Sequence, residues 1–262
     1  MGRLVFPAQS TAPQVYRPFT HDAQRQLREL FLPFFSSPAD GSLTCPTRWH
    51  IWQRISQRLC DAAKISWNGL TEEEIEKLAT FMPWPEPLEG CLLHALMQSV
   101  HRTGDIVVEI GSFRGRSATM LALALQNVDS DAPIFSIDPH TDQPFNAQQV
   151  RLALSQIGQS KRLVQMPYPS DRACRLLKPN SASLIFIDGD HSYDQLLSDF
   201  RHYKEILAPG GCLIFHDYGY GNHNRLPEAN PDVRRVVDQH VMTDKSFQPI
   251  LLAQTQMVFI RQ

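Results

Sequence analysis

The fold class predicted for this 262-residue chain is α/β: a Rossmann-like, doubly wound sheet, mostly parallel, with a helical extension at the N-terminus. Three observations predict it. Short apolar runs recur near residues 106–110, 133–137, 162–166, 183–187 and 212–216, without the polar alternation of a half-exposed strand. Helical patterns fill the intervals, one from about Gly115 through Leu125 and another over roughly 192–207. Alternation at this spacing favours right-handed crossovers and a sheet covered on both faces. Finally, the first run (DIVVEI) ends in a turn framed by Gly111 and Gly115, which lets a ligand approach the backbone and aims helix N–H groups at it.

Residues 1–20 carry three prolines and little periodicity, so an irregular arm is expected. Asp22–Phe35 has helical spacing at Leu27, Leu30 and Phe31, and Arg48–Ile65 repeats it with Ile51, Ile55, Leu59 and Ala62. Thr71 followed by three glutamates reads as an N-cap with acidic residues in the first turn of a helix running to about Met82. The proline-rich MPWPEP at 82–87 breaks that helix and forms a hinge. Two regions follow: a helical extension, residues 1–87, serving as lid or oligomer interface, and an α/β domain, residues 88–262. Trp49, Trp52, Trp67 and Trp84 are read first as packing residues of the extension. The domain opens with an apolar helix, Leu88–Val100, and Pro249–Leu252 with Gln256–Ile260 closes it as an antiparallel hairpin.

Composition narrows the function classes. Hydrophobic residues make up 42% and charged residues 20%, as in ordinary globular chains. A formal net charge of −2 gives no footprint for nucleic acid, and no basic run suits a membrane surface. Cys45, Cys60, Cys91, Cys174 and Cys212 are scattered, with no CxxC pair, which argues against a disulfide framework or structural zinc. The first residues lack the apolar core of a signal peptide, so a cytoplasmic setting is expected.

Ligands of open α/β sheets bind beyond the carboxyl ends of the strands. The expected tips carry Glu109-Ile110-Gly111, Asp138-Pro139-His140, Ser170-Asp171, Asp188-Gly189-Asp190-His191 and His216-Asp217-Tyr218. Asp138, at the second tip, suits a carboxylate that accepts the hydroxyls of a ribose. The turn GSFRG has Phe113 where a dinucleotide fingerprint has its second glycine, so a bulky side chain obstructs a pyrophosphate. A carboxylate at the first tip, Glu109, suits a cationic ligand. These features point to a nucleoside-containing ligand without a diphosphate.

The segments VVEIGSFRGRSA, FSIDPH, LIFIDGDHSYDQLLSDFRHYKEILAPGGCLIFHDY and PDVRRVVD resemble the class I S-adenosylmethionine-dependent methyltransferases. More narrowly they resemble the small-molecule O-methyltransferase branch that includes macrocin O-methyltransferase and cephalosporin-hydroxylase-like proteins. The resemblance covers roughly 88–262. It implies S-adenosylmethionine as cofactor and a hydroxyl of a sugar, polyketide-like or phenolic compound as acceptor. Glu109 would face the methionine ammonium, Gly111, Ser112, Phe113 and Gly115 the same end of the cofactor, and Ser117 its carboxylate. Asp138 would hold the ribose, Pro139 and His140 would flank the adenine, and Ser170 would bond its edge. His191 would be the general base, with Asp188 and Asp217 beside it. Relatives bind magnesium at such tips, so Asp188, His216 and Asp217 are a candidate metal set. His216 stands in place of an acid, and its nitrogen favours manganese, iron or zinc over magnesium. Without a metal, His191 and His216 serve as proton acceptors or substrate partners. The loop 218–230 offers Tyr218, Tyr220, His223 and Arg225 to a substrate or to solvent alike. Two other readings stay open: a nicotinamide-dependent oxidoreductase, and a non-catalytic cofactor- or partner-binding protein. An apolar helical extension makes a homodimer one expected assembly.

Overall fold

A computed structural model describes residues 46–62, 65–81, 88–141, 144–219, 230–253 and 255–262. The expectations for the N-terminal arm, the helix at 22–35, Trp84, Tyr220, His223 and Arg225 lie outside these residues, as do those for the side chains of Ile51, Trp52, Ile55, Leu59 and Ala62. The chain enters through α1 (Pro46–Ala62) and α2 (Glu72–Phe81), and α3 (Leu88–Val100) leads into the sheet. The sheet elements then follow as β1 (Ile106–Ile110), α4 (Arg116–Asn127), β2 (Ile134–Ile137), α5 (Phe145–Gln156), β3 (Leu163–Met166) and α6 (Ser170–Ala173). The second half runs β4 (Ala182–Ile187), α7 (Tyr193–Ile206), β5 (Leu207–Phe215), α8 (Pro231–Val236), β6 (Phe247–Ala253) and β7 (Gln256–Arg261).

The α2 start is built as its sequence suggests. Thr71 N–H and its hydroxyl donate to Glu74 Oε2 at 2.7 and 3.0 Å, and Glu74 N–H donates back to Thr71 Oγ1 at 3.3 Å. This reciprocal cap satisfies two donors that a helix start otherwise strands. At α8, Asn230 accepts from the N–H groups of Asp232 and Val233, and Pro231 fills the first helical position, where no N–H is needed.

The strands order as β3-β2-β1-β4-β5-β7-β6. The five strands from β3 to β5 are parallel, and β7 runs antiparallel to both β5 and β6. The expected closing hairpin is present, but its second strand is inserted between β5 and its own partner. The expected strands match within a few residues, except that β5 begins five residues early, at Leu207.

Successive residues of each central strand feed two separate cores. Val107, Leu184, Phe186, Cys212 and Ile214 pack with α3 and α4 on one face. Val108, Ile185, Ile187, Leu213 and Phe215 pack with α7 and α8 on the other. A strand buried on both faces needs the continuous apolar run that marks it in the sequence.

The first of these cores also takes in the N-terminal helices. Trp49 is 0% exposed and joins Cys60, Ile75 and Leu78 in the cluster that holds Leu92, Leu96 and Met120. Trp67 Nε1 donates to His94 Nδ1 at 2.8 Å, and burial pushes that imidazole's pKa down to about 3. Packing is thus the observed role of Trp49 and Trp67. Among the described residues, no helix is long and apolar enough to cross a membrane.

Candidate active site

The parallel strands β1, β2, β3 and β4 deliver their carboxyl ends to one rim, and a cavity of about 560 Å³ opens there. Gly111 joins two of these tips. Its φ is +85°, and a Cβ at this position would stand 2.0 Å from the Asp188 carbonyl oxygen. Only glycine lets the β1 turn lie against the β4 tip.

Asp138 organises the turn from the neighbouring tip. Its Oδ2 accepts the Ser112 and Phe113 N–H groups at 3.1 and 3.0 Å, and its Oδ1 accepts the His140 N–H at 2.8 Å. Phe113 and His140 both have positive φ, 41° and 49°. The Asp138 bonds therefore hold two sparsely populated backbone conformations in place. Phe113 is 51% exposed, lines the cavity mouth and lies 5.0 Å beneath the Arg114 guanidinium. Ser112 has a buried hydroxyl without a hydrogen-bond partner among the described residues.

The expected cofactor residues divide between the wall and the structure behind it. Gly111, Phe113, Asp138, Pro139, His140, Ser170 and Asp188 line the cavity. Glu109 does not; it is wholly buried, accepting from Ser136 Oγ at 2.8 Å and from Ser117 Oγ. Burial pushes its carboxyl up to about 7, with Asp188 and Asp138 adding to the effect. Gly115, at φ +82°, faces α5, where a Cβ would meet Val150 Cα at 2.9 Å.

Beyond the cavity wall the β4 and β5 tips converge. His191 Nε2 lies 3.4 Å from Asp188 Oδ1 and 3.4 Å from Asp217 Oδ2. His216 Nδ1 lies 3.1 Å from Asp188 Oδ1 and 3.1 Å from Asp217 Oδ1. Burial opposes charge on Asp188, yet the two histidines hold its carboxyl down to about 2. His191 is raised, mainly by Asp188, and His216 is raised well above its ordinary value by Asp188 and Glu89 against its burial. The four side chains of the expected catalytic and metal sets thus form one cluster.

Three of its members form a group that could hold a metal ion. His191 Nε2 and His216 Nδ1 are buried, and among the described residues neither makes an aligned hydrogen bond despite the carboxylates beside them. Asp188, His191 and Asp217 present ligand atoms within 4.8 Å of one another. Ligands around an ion at about 2.1 Å stand roughly 3.0–3.4 Å apart, which matches the nitrogen–oxygen spacings given above.

Glu89, Asn146 and Gln195 were not expected at the site. Glu89, from the first turn of α3, lies 3.1 Å from His216 Nε2 and accepts the Thr255 N–H at 3.1 Å. A carboxylate on the far nitrogen of a histidine fixes its tautomer and turns the other nitrogen inward. In sequence, Glu89 reads as an ordinary acidic residue of a helix start. Asn146 and Gln195 line the cavity from α5 and α7, positions that read as surfaces of covering helices.

Residues 108–218 match the family model of a methyltransferase domain. An uncharacterised protein of Acanthamoeba polyphaga mimivirus is 28% identical over 151 residues, which is 56% of this chain and 65% of that protein. The match therefore spans less than two thirds of the relative's own length. Several solved structures share the fold. The O-methyltransferase TomG from Streptomyces achromogenes, in complex with S-adenosylmethionine, is 18% identical with a TM-score of 0.52, covering 91% of this chain and 98% of its own. An S-adenosylhomocysteine-bound methyltransferase of Podospora anserina is 17% identical with a TM-score of 0.54, covering 94% and 98%. An O-methyltransferase of Bacillus cereus, in complex with S-adenosylhomocysteine, is 16% identical with a TM-score of 0.51, covering 90% and 97%.

Proposed function

We propose that this chain, whose residues 108–218 match the model of a methyltransferase domain, transfers the methyl group of S-adenosylmethionine to a hydroxyl of a small molecule. One observation carries the reading. Asp138 is bonded to the turn amides while facing the same cavity as Gly111 and Asp188, so a ribose carboxylate and a close-approach glycine turn are built as one unit. The cofactors named for the structural relatives TomG and the Bacillus cereus enzyme support the same reading.

The reaction is an in-line displacement. An acceptor oxygen forms the O–C bond as the C–S bond breaks, the electron pair passes to sulfur, and S-adenosylhomocysteine leaves as a neutral thioether. Catalysis then rests on alignment and on removing the hydroxyl proton. His191 is the proton acceptor, held between Asp188 and Asp217. A divalent ion held by Asp188, His216 and Asp217, leaving His191 free to take the proton, would lower the pKa of a bound hydroxyl. The His216 nitrogen favours a transition metal over magnesium. Glu89 keeps His216 turned toward the carboxylates in either case.

Residues 1–87 are proposed to shape the acceptor side of the site, since α1 and α2 pack on α3, which carries Glu89. A homodimer and a cytoplasmic setting complete the proposal. The four described cysteines are buried and unpaired, in keeping with a reducing compartment.

Calorimetry with S-adenosylhomocysteine and NAD tests the cofactor: binding of the first and not the second is expected. Methyl transfer is then assayed over sugar, polyketide-like and phenolic hydroxyls. His191→Ala should lower kcat by about 10²–10⁴-fold while leaving cofactor affinity within a few-fold. Unchanged turnover in that variant would remove His191 from the mechanism.

A further inference from the structure

We infer that Gln195, on α7, reads the base of the nucleoside in the cavity and selects adenine over its 6-oxo counterpart; this rests on the adenosyl-cofactor reading above. Ser170 was the residue expected to bond the adenine edge, but its hydroxyl is already engaged. Its Oγ donates to Asp199 Oδ1 at 2.6 Å and accepts from Gln195 Nε2 at 2.9 Å. With that proton committed, Ser170 has no donor left for a base.

Gln195 Nε2 also donates to Asp199 Oδ1 at 2.9 Å, so both its hydrogens point into the Ser170–Asp199 pair. The carboxylate accepts only, which fixes the nitrogen end of the carboxamide toward it. That leaves Gln195 Oε1 with no hydrogen-bond partner among the described residues. Gln195 and Ser170 line the cavity wall together, and Asp138, the ribose carboxylate, lines the same cavity. A nucleoside anchored at Asp138 brings its base toward this acceptor. An exocyclic amino group donates to it, whereas an oxo oxygen in the same place repels it.

Asp199 argues that this orientation is selected. It is 1% exposed, and its Oδ2 is buried without a hydrogen-bond partner among the described residues. An unpaired buried carboxylate oxygen is costly, and a serine–glutamine contact serving packing alone does not need it. Asp199 is therefore a positioning residue that presents the Gln195 oxygen.

The test compares S-adenosylhomocysteine with S-inosylhomocysteine by calorimetry, in wild type, Gln195→Met and Ser170→Ala. Wild type should bind the adenosyl compound at least about tenfold tighter. Gln195→Met keeps the length and removes the acceptor, so its ratio should fall to within about threefold, while Ser170→Ala retains the preference. The ratio is read within each variant, so a change in overall affinity does not affect it. A wild type without preference, a Gln195→Met protein that discriminates as well as wild type, or a Ser170→Ala protein that alone loses discrimination would each overturn the inference. Failure of wild type to bind either compound would overturn the adenosyl reading itself.

Discussion

Glu109 has no exposed surface, and burial holds its carboxyl near 7, against an ordinary value of 4.5. Below that value the folded, ligand-free protein keeps a proton on Glu109 that an exposed glutamate would have lost. A cationic group arriving near the β1 tip favours the ionised form and so expels that proton. The sign follows: at pH 6 cofactor binding should release up to one proton, and affinity should increase from pH 6 to pH 8. Titration calorimetry in two buffers of different ionisation enthalpy measures the release. Glu109→Gln should abolish it and flatten the pH dependence, because a carboxamide can still bond Ser117 and Ser136 but carries no titrating proton. Release that persists unchanged in Glu109→Gln would mean that another group is coupled to the ligand.

At the scale of elements, the β1–α4 turn and the tip of β4 behave as one piece. Gly111 meets the Asp188 carbonyl where any side chain would overlap backbone, and its φ is one that other residues resist. Gly111→Ala should cost on the order of 2–4 kcal/mol and displace both Asp188 and the amides bonded to Asp138. Thermal unfolding should show a lower Tm together with loss of S-adenosylhomocysteine binding. A variant with wild-type Tm and affinity would show that the turn moves independently of β4. The same coupling explains what was legible in the chain. Asp138, Asp188, His191, His216 and Asp217 each follow an apolar run, so position along a strand placed them at one rim before any contact was known. Glu89 and Gln195 lie in helices, where local patterning marks only a helix start or a covering face. Their approach to His216 and Ser170 depends on how helices cross the sheet, which no local pattern encodes. The insertion of β7 between β5 and β6 escaped for a similar reason: hairpin signals give strand partners but not which strand meets the existing edge.

At the scale of the whole molecule, one core joins the helices on either side of residues 82–87, where the expected hinge lies outside the described residues. Trp49, Ile75 and Leu78 lie in one cluster with Leu92, Leu96, Met120 and Ile214, and the Trp67–His94 bond ties the segment before α2 to α3. Eleven residues of α3 are buried, so this helix is covered on all sides. Stripping α1 and α2 would expose much of that apolar surface at roughly 25 cal/mol per Å², too large a loss for these helices to come away while the sheet domain stays folded. The four tryptophans all fall between residues 49 and 84, which makes their fluorescence a reporter of the N-terminal part and of its packing on α3. Far-UV circular dichroism reports the whole chain. In urea the two signals should trace one coincident transition with the same midpoint. A fluorescence midpoint clearly below that of the dichroism would mean that the N-terminal helices come away first, as a lid on an independently stable domain. Coincidence would instead make α1 and α2 part of the rigid floor that holds Glu89 against His216. Acceptor specificity would then be set by fixed surfaces, and substitutions on α1 and α2 would change stability and turnover together.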